Sequence, residues 1–241
     1  MRFFFSFILV SLLLAAGVFQ PGLRADLLIT EFMADNDSVL ADEDGDYPDW
    51  IELHNPGTES VDLDGWYLTD DPAALQAWRL PARVLEPGGF ALVFASGKDR
   101  AAAGGELHTS FRLDSSGEYL ALVRSDGVTV SQEYAPLYPS QREDYSYGLR
   151  MQGDGAGQLF FSEPSPGRVN GSGFTGFVSD VVFSQDSGFF ERPFELSLET
   201  GTPGASIRFS IDGSAPGPET GSLYTGPVQV ADTTVLRVAA F

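Results

Sequence analysis

The chain has 241 residues, with 14 Lys plus Arg against 34 Asp plus Glu and a formal net charge of −20. That balance argues against nucleic acid and against an anionic membrane surface, since both are bound through clustered cationic side chains and counterion release. A hydrophobic fraction of 43% excludes wholesale disorder, and 27 Gly and 15 Pro without a short period exclude collagen. The absence of Cys excludes disulfide scaffolds, thiol catalysis and cysteine-ligated zinc.

Met1 and Arg2 open a run that is apolar from Phe3 to Val18 apart from Ser6, Ser11 and Gly17, and that Pro21 and Gly22 end. The run is shorter than the roughly 20 residues a bilayer requires, carries one early positive charge and reaches a small residue at Ala25. These features predict a signal peptide over residues 1–25, with no membrane span in the chain that remains. The predicted address is secreted or cell-surface, in an extracellular or periplasmic space, and an acidic exported chain without Cys suits a bacterial source.

From Asp26 onward no helical period of useful length occurs. Short segments rich in β-branched and aromatic residues predict strands over 27–33, 50–54, 61–68, 89–94, 118–124, 128–134 and 145–149. Their spacing of about ten residues implies a sandwich or barrel. Asp126-Gly127 suits the positive φ angles of a tight turn, so 118–134 should form a hairpin. Composition then shifts: 151–157 is Gly-rich, 162–167 reads S-E-P-S-P-G and 169–176 is rich in Gly and Ser. A linker is expected over 151–177, and the glycosylation-like triplet Asn170, Gly171, Ser172 is read as part of it. A second strand set follows over 178–183, 194–198, 206–211, 228–230 and 234–241, with a hairpin turn at Asp212, Gly213 and Ser214. The last strand reaches Phe241 without a polar ending, so this second module is expected to be truncated.

Candidate chemistry is sparse. Asp42, Asp44 and Asp46 alternate in the most acidic segment and are candidate calcium ligands, because hard cations need several converging carboxylates. The EF-hand pattern fails, with Tyr47 where its Gly belongs and Leu53 where its Glu belongs. The competing reading is a solvated turn-rich loop. His54 and His108 are the only imidazoles, no G-x-S-x-G elbow accompanies them, and both are assigned structural or surface roles. Alternation puts Trp50, Glu52 and His54 on one face of their strand and Ile51 and Leu53 on the other. Trp50, Trp66 and Trp78 with Tyr47 and Tyr67 could form an aromatic platform for sugars, although core packing is the favoured role for Trp66. No catalytic or cofactor-binding residue is assigned, and the only cofactor considered is a structural calcium.

The stretches I-T-E-F-M-A-D-N-D-S (29–38), D-G-D-Y-P-D-W-I-E-L-H-N-P-G (44–57), V-D-L-D-G-W-Y-L-T-D-D (61–71), E-P-G-G-F-A-L-V-F-A-S-G-K-D-R (86–100) and S-S-G-E-Y-L-A-L-V (115–123) resemble the lamin tail domain of secreted bacterial proteins. The resemblance covers about 27–150 and implies an immunoglobulin-like β-sandwich; the nuclear role does not carry over, because no heptad rod is present. The stretches T-P-G-A-S-I-R-F-S-I-D-G-S-A-P (202–216), L-Y-T-G-P (223–227) and T-T-V-L-R-V-A-A-F (233–241) are similar to the chitobiase C-terminal type of accessory domain. The expected architecture is therefore all-β: signal peptide 1–25, lamin-tail-like sandwich 26–150, linker 151–177 and chitobiase C-terminal-like sandwich 178–241. The expected function is non-catalytic binding or spacing outside the cell, with an extracellular protein or polysaccharide as partner. Two alternatives stand beside it. One is the N-terminal accessory region of a larger secreted enzyme, such as one with a spore-coat-type kinase-like domain; the other is a carbohydrate-binding module.

Overall fold

The computed structural model describes residues 27–102, 104–151 and 157–241; the expected signal peptide lies outside them. The described residues form strands, turns and loops, and none of them is helical. Accordingly, no helix among them is long and apolar enough to cross a membrane. The chain divides into two units, one ending at Gly173 and the other running from Phe174 to Phe241.

The first unit contains β1 (Leu28–Met33), β2 (Trp50–His54), β3 (Val61–Asp62), β4 (Tyr67–Thr69), β5 (Trp78–Arg79), β6 (Val84–Leu85), β7 (Phe90–Phe94), β8 (Leu107–His108), β9 (Leu120–Val123), β10 (Val130–Tyr134), β11 (Ser146–Leu149) and β12 (Gln158–Phe161). One sheet has the order β12-β11-β1-β2-β7-β8 and the other β10-β9-β4-β5, with β3 and β6 as a separate ribbon. Pairing is antiparallel except between β7 and β8. The two sheets meet through aromatic side chains: the Phe32 ring centroid lies 4.8 Å from Tyr134 and 4.9 Å from Tyr138, both edge-on. Gln132 and the Tyr134 hydroxyl reach across to the backbone of Ile29. The β9–β10 hairpin turns at Asp126-Gly127, where Gly127 has φ 70° and the Asp126 carboxylate accepts from the Val128 and Thr129 N–H groups.

The β1–β2 register slips between Ile29 and Glu31, leaving Thr30 as the extra residue of a bulge and setting Glu31 opposite Glu52. Gly148 of β11 faces Glu31 across the next pairing, and a Cβ there would stand 2.1 Å from the Thr30 carbonyl oxygen. Only glycine fits that approach.

The segment expected as a linker over 151–177 is largely built into this unit. β12 pairs with β11 over four residues, and Leu159, Phe160 and Phe161 are buried. Residues 162–170 then return over the sheet and hydrogen-bond to β1 and β2. Composition misled because Gly, Ser and Pro register turns, and a four-residue strand between turns contributes too few apolar residues to stand out.

The second unit contains β13 (Val181–Phe183), β14 (Phe194–Leu196), β15 (Leu198–Thr200), β16 (Ile207–Ser210), β17 (Ser222–Leu223), β18 (Val228–Val230) and β19 (Arg237–Ala240). They pair as β13-β15, β14-β18 and β17-β16-β19. Its core is small: Leu196, Leu198 and Ile207 are buried, with Val181, Phe194, Tyr224, Val230, Leu236 and Val238 packed around them. The turn expected at Asp212-Gly213-Ser214 is present, with Gly213 at φ 83° and Asp212 accepting from the Ser214 backbone and hydroxyl.

Candidate functional site

The acidic loop between β1 and β2 is shaped by its own side chains. Asn36 donates to the carbonyls of Leu40 and Pro48 and accepts from the N–H groups of Val39 and Leu40. Asp42 Oδ1 accepts from the N–H groups of Asp44 and Asp46, each at 3.0 Å, while Gly45 takes a positive φ between them. This winding brings the carboxylates of Asp42, Asp44 and Asp46 together, and the group they surround is the Lys98 ammonium. Lys98 Nζ donates to them at 2.5, 2.7 and 2.8 Å respectively. Lys98 follows β7 on a turn held by its own N–H donating to Ser96 Oγ. Arg100 adds bonds to Glu43 at 3.0 Å and Asp44 at 2.8 Å. Hydrogen bonds from Lys98 and then Arg100 hold the Asp44 carboxyl down at about 2, and the same carboxylates raise Lys98 above the usual ammonium range.

The ammonium stands where the spacing of Asp42, Asp44 and Asp46 suggested calcium, and it supplies the same service of neutralising converged acids. Millimolar calcium is therefore expected to leave the melting temperature of the native chain unchanged. Lys98→Met is expected to lower that temperature in calcium-free buffer and make it rise again with added calcium. Thermal melts of both proteins with and without the ion check this, and a calcium-dependent rise in the native chain would refute it.

A second polar centre was not anticipated. Glu31 and Glu52 are both 0% exposed and sit opposite each other on β1 and β2. Alternation along an antiparallel pair places acids on the outward face, where water would normally solvate them. Here the 162–170 segment covers them. Ser165 donates its N–H to both oxygens of Glu31 at 3.1 Å and its hydroxyl to Oε2 at 2.9 Å, and the Ser146 hydroxyl donates to Oε1. Glu52 accepts from the Thr30 hydroxyl and from the Gly167 N–H, each at 2.6 Å. Asn170 pins the end of the segment by donating to the carbonyls of Thr30 and Leu149, each at 2.9 Å. Burial pushes Glu52 up to about 7 despite these donors, and burial also raises Glu31 against the opposing bonds from Ser146 and Ser165 and the charge of Arg168. Two mid-strand acids aligned with a later turn-rich segment were the available signal, but one sequence does not reveal which loop returns to which strand.

The histidines are buried, at 6% exposure for His54 and 0% for His108. His54 stacks on Phe90 and shares a hydrogen bond with the Gly89 carbonyl. His108 Nδ1 is 2.9 Å from Ser96 Oγ. That Ser–His contact lies inside the sheet edge, with Ser96 itself 4% exposed, so the hydroxyl does not face a cleft that could admit a substrate. Trp50 and Trp78 are buried at 0% and 3%, and Trp66 and Tyr67 are half-buried, so the tryptophans do not form a continuous exposed platform. Trp66, expected in the core, is the least enclosed of the three tryptophans and precedes β4, whose Leu68 is fully buried.

A family model for the Lamin Tail Domain matches residues 21–135, and one for the Chitobiase/beta-hexosaminidase C-terminal domain matches residues 185–241. No curated protein and no solved structure matches the chain. The first match stops short of β11 and β12, which complete the larger sheet. The order of the two matches and the helix-free architecture agree: the chain carries a lamin tail domain followed by a chitobiase/β-hexosaminidase C-terminal domain, two immunoglobulin-like modules of a generally non-catalytic kind.

Proposed function

We propose that the chain works outside the cell as a non-catalytic binding and spacing protein whose second unit docks an extracellular protein partner. The observation that carries this reading is the apolar surface of residues 182–190. Val182, Phe183, Phe189 and Phe190 are 65%, 41%, 108% and 45% exposed within nine residues, in a chain of net charge −20. Large apolar side chains held in water mark association surfaces more often than catalytic ones. In the first unit, by contrast, the acidic loop is engaged by Lys98 and Arg100 and the paired glutamates are enclosed.

The test is saturable binding of the labelled 27–241 chain to intact cells and to separated envelope proteins and polysaccharides. Binding to the protein fraction is expected, weakened at least about tenfold by Phe189→Ser with Phe190→Ser. Binding unaffected by that change would contradict the reading. The name of the second family associates such domains with chitobiase and hexosaminidase, but at their C-terminal end, whereas the accessory-region alternative would set this chain ahead of a catalytic domain. Assaying the same chain on chromogenic β-N-acetylglucosaminides should show no turnover, and turnover would overturn the non-catalytic assignment.

A further inference from the structure

We propose that Glu43, Glu106 and His108 form a binding site for a divalent transition ion of the zinc class. One ligand atom from each of the three lies within 4.8 Å of the others. His108 is 0% exposed, and its Nε2 is a buried atom without a hydrogen-bond partner. That nitrogen points toward the Glu106 carboxylate, 3.8 Å from Oε2, which is too long for a hydrogen bond. A bare Nε2 there faces an acid with its lone pair, and a protonated one fails to reach it. Either state leaves a buried polar atom unmatched, which is unfavourable. A metal ion between the two removes the mismatch.

The opposite side of the ring is arranged as a ligating imidazole requires. Nδ1 is 2.9 Å from Ser96 Oγ, and the ring stacks on Phe94 at 5.2 Å, so the direction of Nε2 is fixed. Zinc bonds of about 2.0–2.1 Å in a tetrahedron place ligand atoms roughly 3.3 Å apart. Glu43 is exposed and Glu106 half-buried, so both can swing in by the necessary ångström while His108 stays in place. Glu43 and Glu106 are already tied together by the Glu43 N–H donating to Glu106 Oε2 at 2.6 Å. Arg100 holds Glu43 Oε1, yet the neighbourhood remains anionic: Asp42, Glu43, Asp44, Asp46 and Glu106 stand against Lys98 and Arg100. An imidazole with carboxylates suits zinc and its neighbours in the first transition row better than calcium, which prefers oxygen alone. This site is separate from the Lys98-filled trio and does not depend on the proposed docking role.

The experiment is calorimetric titration of the full chain with Zn²⁺ in buffer containing millimolar calcium, paired with imidazole ¹⁵N spectra. One Zn²⁺ per chain is expected, with a shift of the His108 Nε2 resonance. Glu106→Gln and Glu43→Gln should each weaken binding at least about tenfold. Asp46→Asn, outside the site, should change it less than about twofold. His108→Gln should abolish binding, and if that buried variant fails to fold, the glutamine variants at Glu43 and Glu106 decide. Absence of Zn²⁺ binding, an unshifted His108 resonance, or equal weakening by Asp46→Asn would overturn the site.

Discussion

A chain of residues 27–150 is expected not to fold, whereas one of residues 27–173 should unfold in a single cooperative transition. The shorter chain loses β12 and with it Leu159, Phe160 and Phe161, each at most 5% exposed. Burial of such side chains contributes roughly 1.5–3 kcal/mol apiece, so this term alone approaches the 5–15 kcal/mol that separates a folded domain from its unfolded chain. The cut also removes Ser165, Gly167 and Asn170, which satisfy the carboxylates and carbonyls of the β1–β2 bulge. Some of that loss is returned when water reaches Glu31 and Glu52, but β11 becomes an unprotected edge. Urea titrations followed by circular dichroism distinguish the two chains. Equal midpoints would show that the covering segment is an appendage.

Glu31→Ala is expected to destabilise the first unit by about 3 kcal/mol, more than any exposed acid in the β1–β2 loop. The variant strands the Ser165 N–H and the Ser146 hydroxyl in a place water does not reach, while the Ser165 hydroxyl keeps Asn170 Oδ1 at 3.2 Å as an acceptor. The charge is itself costly to bury, so the loss reflects abandoned donors rather than a favourable carboxylate. Glu31→Gln, which keeps an acceptor oxygen, should lose less than the alanine variant. Chemical denaturation of the three proteins at pH 7 measures the order. A stability for Glu31→Ala equal to the native one would mean that the donors find other partners.

The strand framework was legible because its elements obey local rules. β1, β2, β7 and the β9–β10 hairpin are runs of branched and aromatic residues ended by Gly, Pro, Asp or Asn, and Asp126-Gly127 forces its own turn. The convergence of Asp42, Asp44 and Asp46 was legible as well, since an alternating Asp run around Gly45 winds on its own backbone. What they converge on was not, because Lys98 lies more than 50 residues away and arrives only through the β2–β7 pairing. The same limit hid the glutamate pair: Glu31 and Glu52 become neighbours through the bulge at Thr30, and their cover comes from a segment whose composition spells linker. His108 Nε2 shows the limit at a single atom. Its lack of a partner is a property of packing around a ring, and no residue pattern carries it.

The enclosed glutamates give the first unit a distinctive response to acid. A Glu52 carboxyl raised to about 7 from its ordinary 4.5 binds its proton more tightly in the folded chain than in the unfolded one. Its contribution to stability is therefore complete below about pH 4.5 and lost as pH rises through 7, amounting to as much as ~3 kcal/mol. Asp49, raised by burial to about 6, acts in the same sense. Asp44, held at about 2, acts oppositely and loses its contribution as pH falls below its ordinary 3.8. Titrating the ¹³C-labelled side-chain carboxyl of Glu52 by NMR tests most directly whether residues 162–170 seal the paired acids of β1 and β2. A midpoint near 7 is expected, falling toward the ordinary 4.5 in a chain that keeps β12 and ends before residue 162; a midpoint near 4.5 in the intact chain would mean that water reaches the carboxylate and that the seal does not exist.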